Sequence, residues 1–240
     1  MEHPRLHLAR VDSTNAYAKR CYHELANGTV IVAASQSAGR GRLGRSWLGD
    51  QDSLMFSLLL KGEGLPENPA KLSLAAAAAL CLAIEELGLA PAIKWPNDLL
   101  LGEKKVAGIL LEGVAYEKTQ ALILGIGVNV NNPSFDASIA GKATSLLLQK
   151  GKPIDKGELL ERFLRRFDSL KDEEREYMAL VKSRSYLDGK LIRLSYYGEG
   201  IVAKAIAITE DGSLLLEQDG RRFRVTSGEA TLEKTYAEPV

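Results

Sequence analysis

Cysteine is nearly missing from this 240-residue chain: there are two, Cys21 and Cys81, and neither stands in a CxxC or metal-ligand spacing. Each falls inside a helical apolar pattern. Both are therefore expected as free thiols of a reducing compartment, the cytoplasm, and not as a disulfide or a metal site. Histidine is almost as scarce. His3, His7 and His23 crowd the N-terminus without triad or metal spacing, so the usual base of acyl transfer is lacking. They are expected as surface or helix residues. The sequence contains no GxxxxGK[ST] cradle, no GxSxG elbow and no dinucleotide fingerprint on a βαβ unit. It has no excess of either charge, with 31 Lys and Arg against 31 Asp and Glu. That balance argues against a broad DNA-, RNA- or anionic-membrane-binding face. The longest apolar run, Leu72 to Ile84, includes Ser73 and falls short of the about 20 residues that span a bilayer. The first residues lack the basic stretch and apolar core of a secretory signal.

What is present is an ordinary globular composition, 45% hydrophobic and 26% charged, ample for a core. Residues 5–11 suggest a first strand. Asp12, Ser13, Thr14 and Asn15 all favour a helix N-cap, and a helix is expected from Ala16 to Leu25, ended by Asn27-Gly28. Strands are expected at Thr29 to Ala34 and at Ser53 to Leu60, then a loop from Gly62 to Pro69. Ala70 to Leu87 reads as a helix apolar on nearly every face, which belongs inside, against a sheet. Ala92 to Trp95 is a strand stopped by Pro96. Leu99 to Leu101 and Lys105 to Val114 form a hairpin across Gly102-Glu103. Ala121 to Val130 is a strand whose glycines imply that something lies close against its backbone. Asp155 and Glu158 have capping-box spacing and open one amphipathic helical stretch to about Val181. After that come short alternating strands with Asp211-Gly212 and Asp219-Gly220 turns.

These elements predict an α+β fold: a mixed, mostly antiparallel sheet with helices on one face, followed by a small SH3-like β-barrel. The boundary is placed between a catalytic domain at 1–184 and a C-terminal β domain at 185–240.

The stretch with the densest chemistry is Ser35 to Trp47. Gly39-Arg40-Gly41-Arg42-Leu43-Gly44-Arg45 packs three glycines and three arginines into seven residues. Glycine lets the backbone approach a ligand, and arginine supplies planar donors that match carboxylate and phosphate oxygens. A mobile anion-binding loop and a solvated hairpin tip both fit this stretch alone. The other polar clusters are Ser13-Thr14-Asn15, Gln36, Lys94-Trp95-Pro96-Asn97-Asp98, Lys105 to Gly108, and Asn129. They supply cations and hydrogen bonds but no nucleophile, which suits phosphoryl or adenylyl transfer.

The glycine–arginine loop, Lys94-Trp95-Pro96-Asn97-Asp98, Lys105-Val106-Ala107-Gly108-Ile109-Leu110-Leu111-Glu112 and Gly125-Ile126-Gly127-Val128-Asn129, in that order, closely resemble the biotin protein ligases. The Ser13-Thr14-Asn15 start fits as well, and the resemblance covers essentially the whole chain. It implies the biotin ligase catalytic fold, related to class II synthetases. It implies two steps: biotin and Mg-ATP give biotinyl-5′-adenylate and pyrophosphate, and biotin then passes to one lysine of a biotin carboxyl carrier protein, such as that of acetyl-CoA carboxylase. It further implies roles. Ser13, Thr14, Asn15, Gln36, Gly39, the backbone near Arg40, Gly41 and Gly108 would meet biotin. Arg40, Arg42 and Lys105 would act on the biotin carboxylate and the α-phosphate. Arg45, Asn97, Asp98 and Asn129 would meet ATP or the adenylate, and Asn97 and Asp98 would orient ATP, its Mg²⁺ or the incoming lysine. Trp47 would pack over the adenine side or anchor the loop. The loop would close as a lid that keeps water from the reactive adenylate. The metal ligands are not legible.

Many bacterial members carry an N-terminal winged-helix domain and repress transcription. Here residues 5–11 already read as catalytic core, so a ligase without DNA binding is expected. The family includes monomers and homodimers. The barrel is expected to contact the carrier or ATP, or to buttress the catalytic domain. The nearest alternative is a lipoate protein ligase, and one of another class is a non-catalytic RNA-binding module.

Overall fold

Ser13 sets where the first helix begins. Its side chain accepts from the Ala16 backbone N–H, so helix α1 runs Thr14–Cys21, two residues ahead of the expected start. The computed structural model describes residues 3–62, 65–66, 68–116, 118–196 and 199–233. Residues 63, 64 and 67 of the expected loop, and the last seven residues of the expected barrel, lie outside these.

Strands β1 (Arg5–Leu8), β2 (Val30–Ala33), β3 (Ser53–Lys61), β4 (Pro91–Lys94), β5 (Asp98–Leu101), β6 (Lys104–Tyr116) and β7 (Lys118–Asn129) form one sheet. Its order is β1-β2-β3-β7-β6-β5-β4. Only β1 and β2 pair in parallel, and the rest are antiparallel. Side chains alternate between faces along a strand. Leu54, Phe56 and Leu58 of β3, with Leu122, Leu124, Ile126 and Val128 of β7, face the main core. Leu59 and Ile123 face the other way, with Ala18 of α1 and Ile31.

Helices α2 (Pro69–Glu85), α4 (Lys156–Leu170) and α5 (Glu174–Ser183) cover the main-core face, while the short α3 spans Leu146–Lys150. Asn68 caps α2 and Pro69 opens it. Ala75 to Ala79 are all buried, and these small side chains let α2 lie close to both sheet and helices. The expectation of helices on one face holds for α2, α4 and α5, but α1 packs on the opposite face. The single stretch expected to Val181 is two helices. Lys171 to Glu174 are four charged residues in succession, with nothing apolar to bury. The chain turns there, and both α4 and α5 rest on α2. His3, expected as a surface or helix residue, is half-buried with its ring turned inward: Nδ1 lies 2.9 Å from the Gly28 carbonyl and Nε2 3.0 Å from Asp168 Oδ2.

At the centre, Phe163 meets Phe56 at 5.3 Å between ring centroids and Phe167 at 5.6 Å. All three are fully buried. Phe163→Ala is expected to cost about 3–5 kcal/mol, read as a lower urea midpoint at unchanged slope.

The second sheet is antiparallel, in the order β11-β10-β9-β8-β12. Its strands are β8 (Leu191–Tyr196), β9 (Glu199–Ile208), β10 (Leu214–Gln218), β11 (Arg221–Val225) and β12 (Glu229–Leu232). Its apolar residues belong to the same continuous cluster as those of the first sheet. Trp95, 2% exposed, donates from Nε1 to the Gly212 carbonyl at 3.0 Å and so ties the two modules together. That bond lies beside the motif residues Lys94, Asn97 and Asp98, which places the β8–β12 module against the site.

Candidate active site

Opposite the long helices, one cavity draws together α1, the loop after β2, β5, β6, β7 and the turn before β12. At the α1 end the floor is polar but uncharged. Thr14 and Asn15 are buried because Ser13's cap places them in the helix's first turn. Gln36 Oε1 accepts the Thr14 N–H at 2.7 Å. Ser57, pointing up from β3, lies 2.7 Å from Thr14 Oγ1 and 2.6 Å from Asn15 Oδ1.

The glycine–arginine stretch is folded into a small hairpin. Trp47 N donates to the Gly39 carbonyl at 2.9 Å and Gly41 N to the Arg45 carbonyl at 2.7 Å. Its apex at Arg42–Gly44 holds Leu43 in the left-handed region at φ 55°, with the side chain 74% exposed. A branched residue there is strained and unpacked. Arg42 Nη1 reaches inward to Asn97 Oδ1 and the Gly228 carbonyl, both at 3.3 Å. Burial pulls its pKa down, against the charges of Asp98 and Glu229. Arg45 pairs with Glu229 of β12.

Lys105 opens β6 with its backbone fixed on both sides: its N–H donates to Lys142 O and its carbonyl accepts from Thr144 N. Its Nζ sits 2.6 Å from Asp98 Oδ1 and 5.6 Å from the centre of a Trp47 ring. Lys94 lines the same wall, and its pKa is lowered chiefly by burial. Arg40, Arg42, Arg45, Lys94 and Lys105 thus line the cavity against the carboxylates of Asp98 and Glu229. Five cations facing two anions make this end a site for an anion.

Two glycines of β7 fix what stands between the ends. A Cβ at Gly125 would lie 2.7 Å from Asn15 Cγ, and one at Gly127 would lie 2.6 Å from Trp47 Cζ2. Asn15 and the indole of Trp47 therefore rest directly on the strand backbone. The buried Trp47 Nε1–H has no acceptor among the described residues.

Ser13, Thr14, Asn15, Gln36, Arg40, Gly41, Arg42, Arg45, Trp47, Asn97, Asp98, Lys105 and Gly108 all line this cavity, as the sequence suggests. Two expected residues do not. Asn129 is 5% exposed and spends its amide on the Thr144 carbonyl at 3.0 Å, inside the fold. Its side chain is therefore not part of the cavity lining. Gly39 frames the hairpin base behind Trp47, and a Cβ there would lie 2.6 Å from the Trp47 carbonyl. Lys94, part of a polar cluster but given no ligand of its own, also lines the cavity, as do Gly125, Gly127, Gly228 and Glu229, which were not singled out for it. The two β7 glycines did signal a close approach. Nothing in the local pattern marks Gly228 and Glu229, which arrive from a separate sheet. Among the described residues no three His, Cys, Asp or Glu side chains gather as a metal cluster.

The family described as Biotin/lipoate A/B protein ligase matches residues 7–129. The "Bifunctional ligase/repressor BirA" of Bacillus spizizenii is 36% identical over 217 residues, covering 82% of this chain and 66% of its own. The chain thus spans about two thirds of that relative's length. The "Biotin--[acetyl-CoA-carboxylase] ligase" of Mycobacterium tuberculosis is 31% identical over 92% of this chain and 86% of its own. Among solved structures, the biotin protein ligase from Aquifex aeolicus in complex with biotin and ATP superposes with a TM-score of 0.86 at 33% identity, over 97% of this chain and 99% of that one.

Proposed function

The chain belongs to the biotin/lipoate A/B protein ligase family, and from that premise we propose that it is an ATP-dependent biotin protein ligase. One observation carries the reading: a single cavity holds uncharged, buried hydrogen-bonding groups at one end and five cations at the other. Biotin has the same division, a neutral ureido bicycle and a carboxylate. Its ring system binds at Thr14, Asn15 and Gln36, where every buried donor and acceptor of the ligand needs a partner. Its carboxylate points toward Arg40, Arg42 and Lys105.

In the first step a carboxylate oxygen attacks the α-phosphorus of ATP and pyrophosphate leaves. Two anions must meet, and the cations lower the repulsion most where charge concentrates, in the transition state. Lys105 bridges the two oxygens, held in place by its fixed backbone and by Asp98. Trp47 offers its face to the adenine. In the second step a lysine amine of the carrier protein attacks the acyl carbon, and AMP leaves. Mg²⁺ carried with the nucleotide would supply neutralisation of phosphate charge here. Asp98 and Asn97 are the oxygen donors on this wall that suit it. The hairpin of Arg40 to Ser46, closed over the product, keeps water from the mixed anhydride.

The lipoate alternative is weaker because a dithiolane ring offers no N–H or C=O to the polar groups of the α1 end, whereas a ureido group offers both. Biotin-dependent exchange of labelled pyrophosphate into ATP tests the proposal. Exchange with biotin and none with lipoate is expected. Exchange with lipoate alone would replace the substrate, and exchange with neither would end the reading.

A further inference from the structure

We propose that Glu112, clamped by Lys19, is a positioning residue: acting through Asn15 and Ser57, it makes the Thr14 hydroxyl an acceptor, so that the cavity selects a ligand head group that donates an N–H. The inference rests on the reading of this end as the biotin end.

The number of hydrogens available to each group fixes the direction of every bond. Glu112 sits on β6, outside the cavity floor, and Lys19 of α1 grips its Oε1. Its pKa is lowered. Burial alone would raise it, but the hydrogen bonds from Lys19 and Asn15, and the charges of Lys19 and Arg40, outweigh that. An ionised carboxylate only accepts. Asn15 Nδ2 lies 2.8 Å from Glu112 Oε2 and 3.2 Å from the Leu110 carbonyl, two acceptors for its two hydrogens. The amide cannot flip without setting oxygen against oxygen twice. Gly125, which has no side chain, lets it lie directly against β7.

Asn15 Oδ1 must then be an acceptor, and the one hydroxyl proton of Ser57, 2.6 Å away, is committed to it. The 2.7 Å contact between Ser57 and Thr14 needs a proton of its own. Only Thr14 Oγ1–H can supply it. Were that proton turned to Gln36 Oε1 at 3.3 Å, two oxygens would face each other bare at 2.7 Å. Gln36 Oε1 already receives the Thr14 N–H. The proton order therefore runs from Thr14 to Ser57 to Asn15 to Glu112. It leaves the Thr14 oxygen, on the cavity wall, with lone pairs for a ligand.

The test is isothermal titration of the full chain with biotin and with the two isosteric cyclic-carbamate analogues, in which one ureido N–H is exchanged for a ring oxygen. The unaltered protein is expected to prefer biotin by about a hundred-fold over the analogue that loses the N–H facing Thr14. Glu112→Gln sets an amide N–H against Asn15 and brings the order into conflict. Ser57→Ala cuts the chain one link from Thr14. Both are expected to shrink that preference below about ten-fold, with ATP affinity and thermal midpoint near those of the unaltered protein. A merely structural role would weaken biotin and analogue alike and keep the ratio. A ratio preserved in both folded variants overturns the proposal and leaves the biotin site standing. If the unaltered protein does not bind biotin at all, the site reading falls and the inference falls with it.

Discussion

Lys105→Ala is expected to lower biotin-dependent pyrophosphate exchange about a hundred- to a thousand-fold while leaving the fold intact. The side chain is about one-third exposed (36%) and paired with Asp98, which is itself accessible. Removing it opens no core cavity, so the thermal midpoint should move little. The loss should fall on turnover more than on the KM for biotin, because the ammonium matters most once carboxylate and α-phosphate share charge. Lys105→Arg should recover little, since a guanidinium is a planar fork and the site is built for a point charge. Arg42→Ala should show a similar loss, but with the KM for ATP raised as well. Arg42 also holds Asn97 and the Gly228 carbonyl. Lys104 is the internal control. It is exposed, with Nζ 3.3 Å from the Ala140 carbonyl, and Lys104→Ala should leave exchange unchanged.

Gly127→Ala is expected to weaken ATP binding by one to two orders of magnitude. The added methyl would lie 2.6 Å from Trp47 Cζ2 and 2.7 Å from its Nε1. Strand β7 is paired on both sides, with β3 and β6, so the backbone cannot retreat and the indole must move. Overpacking of this kind costs about 1–3 kcal/mol. Here much of it should appear as lost ligand affinity, because Trp47 stands in a surface hairpin that can yield. Gly125→Ala presses instead on Asn15 and should weaken biotin with little effect on ATP. Titration of each variant with each ligand checks the crossed pattern. Trp47 and Trp95 are the chain's two tryptophans. A fluorescence change confined to Gly127→Ala would report displacement of the first.

How legible this site is in the sequence depends on the range of the contacts that build it. Ser13 caps α1 and Asp155 caps α4 through contacts three residues away, and such spacing is written in the chain. The strands of the first sheet follow from alternation and turns. The grouping of Arg42, Asn97 and Lys105 follows from order and motif. Three things were not legible, for physical reasons. The break between α4 and α5 depends on α2 being there to receive both. Asn129 looks like a site residue until the Thr144 carbonyl, 15 residues away, takes its amide. Glu229 pairs with an arginine 184 residues distant, and only the docking of one sheet against another brings them together. The same docking makes Trp95 a bolt between modules.

The two glycines of β7 have one more consequence. Asn15 stands over Gly125 and Trp47 over Gly127, two residues apart on a strand, or about 6.8 Å. That interval belongs to the peptide backbone, so no rotamer change can stretch it. The sheet serves as a length gauge beneath the ligand. Changes around the rim can alter what each end accepts, while the spacing between the ends stays constant. Analogues whose tether between ring and carboxylate is shortened or lengthened by one methylene would still seat the ring, but would present the carboxylate off register with Lys105.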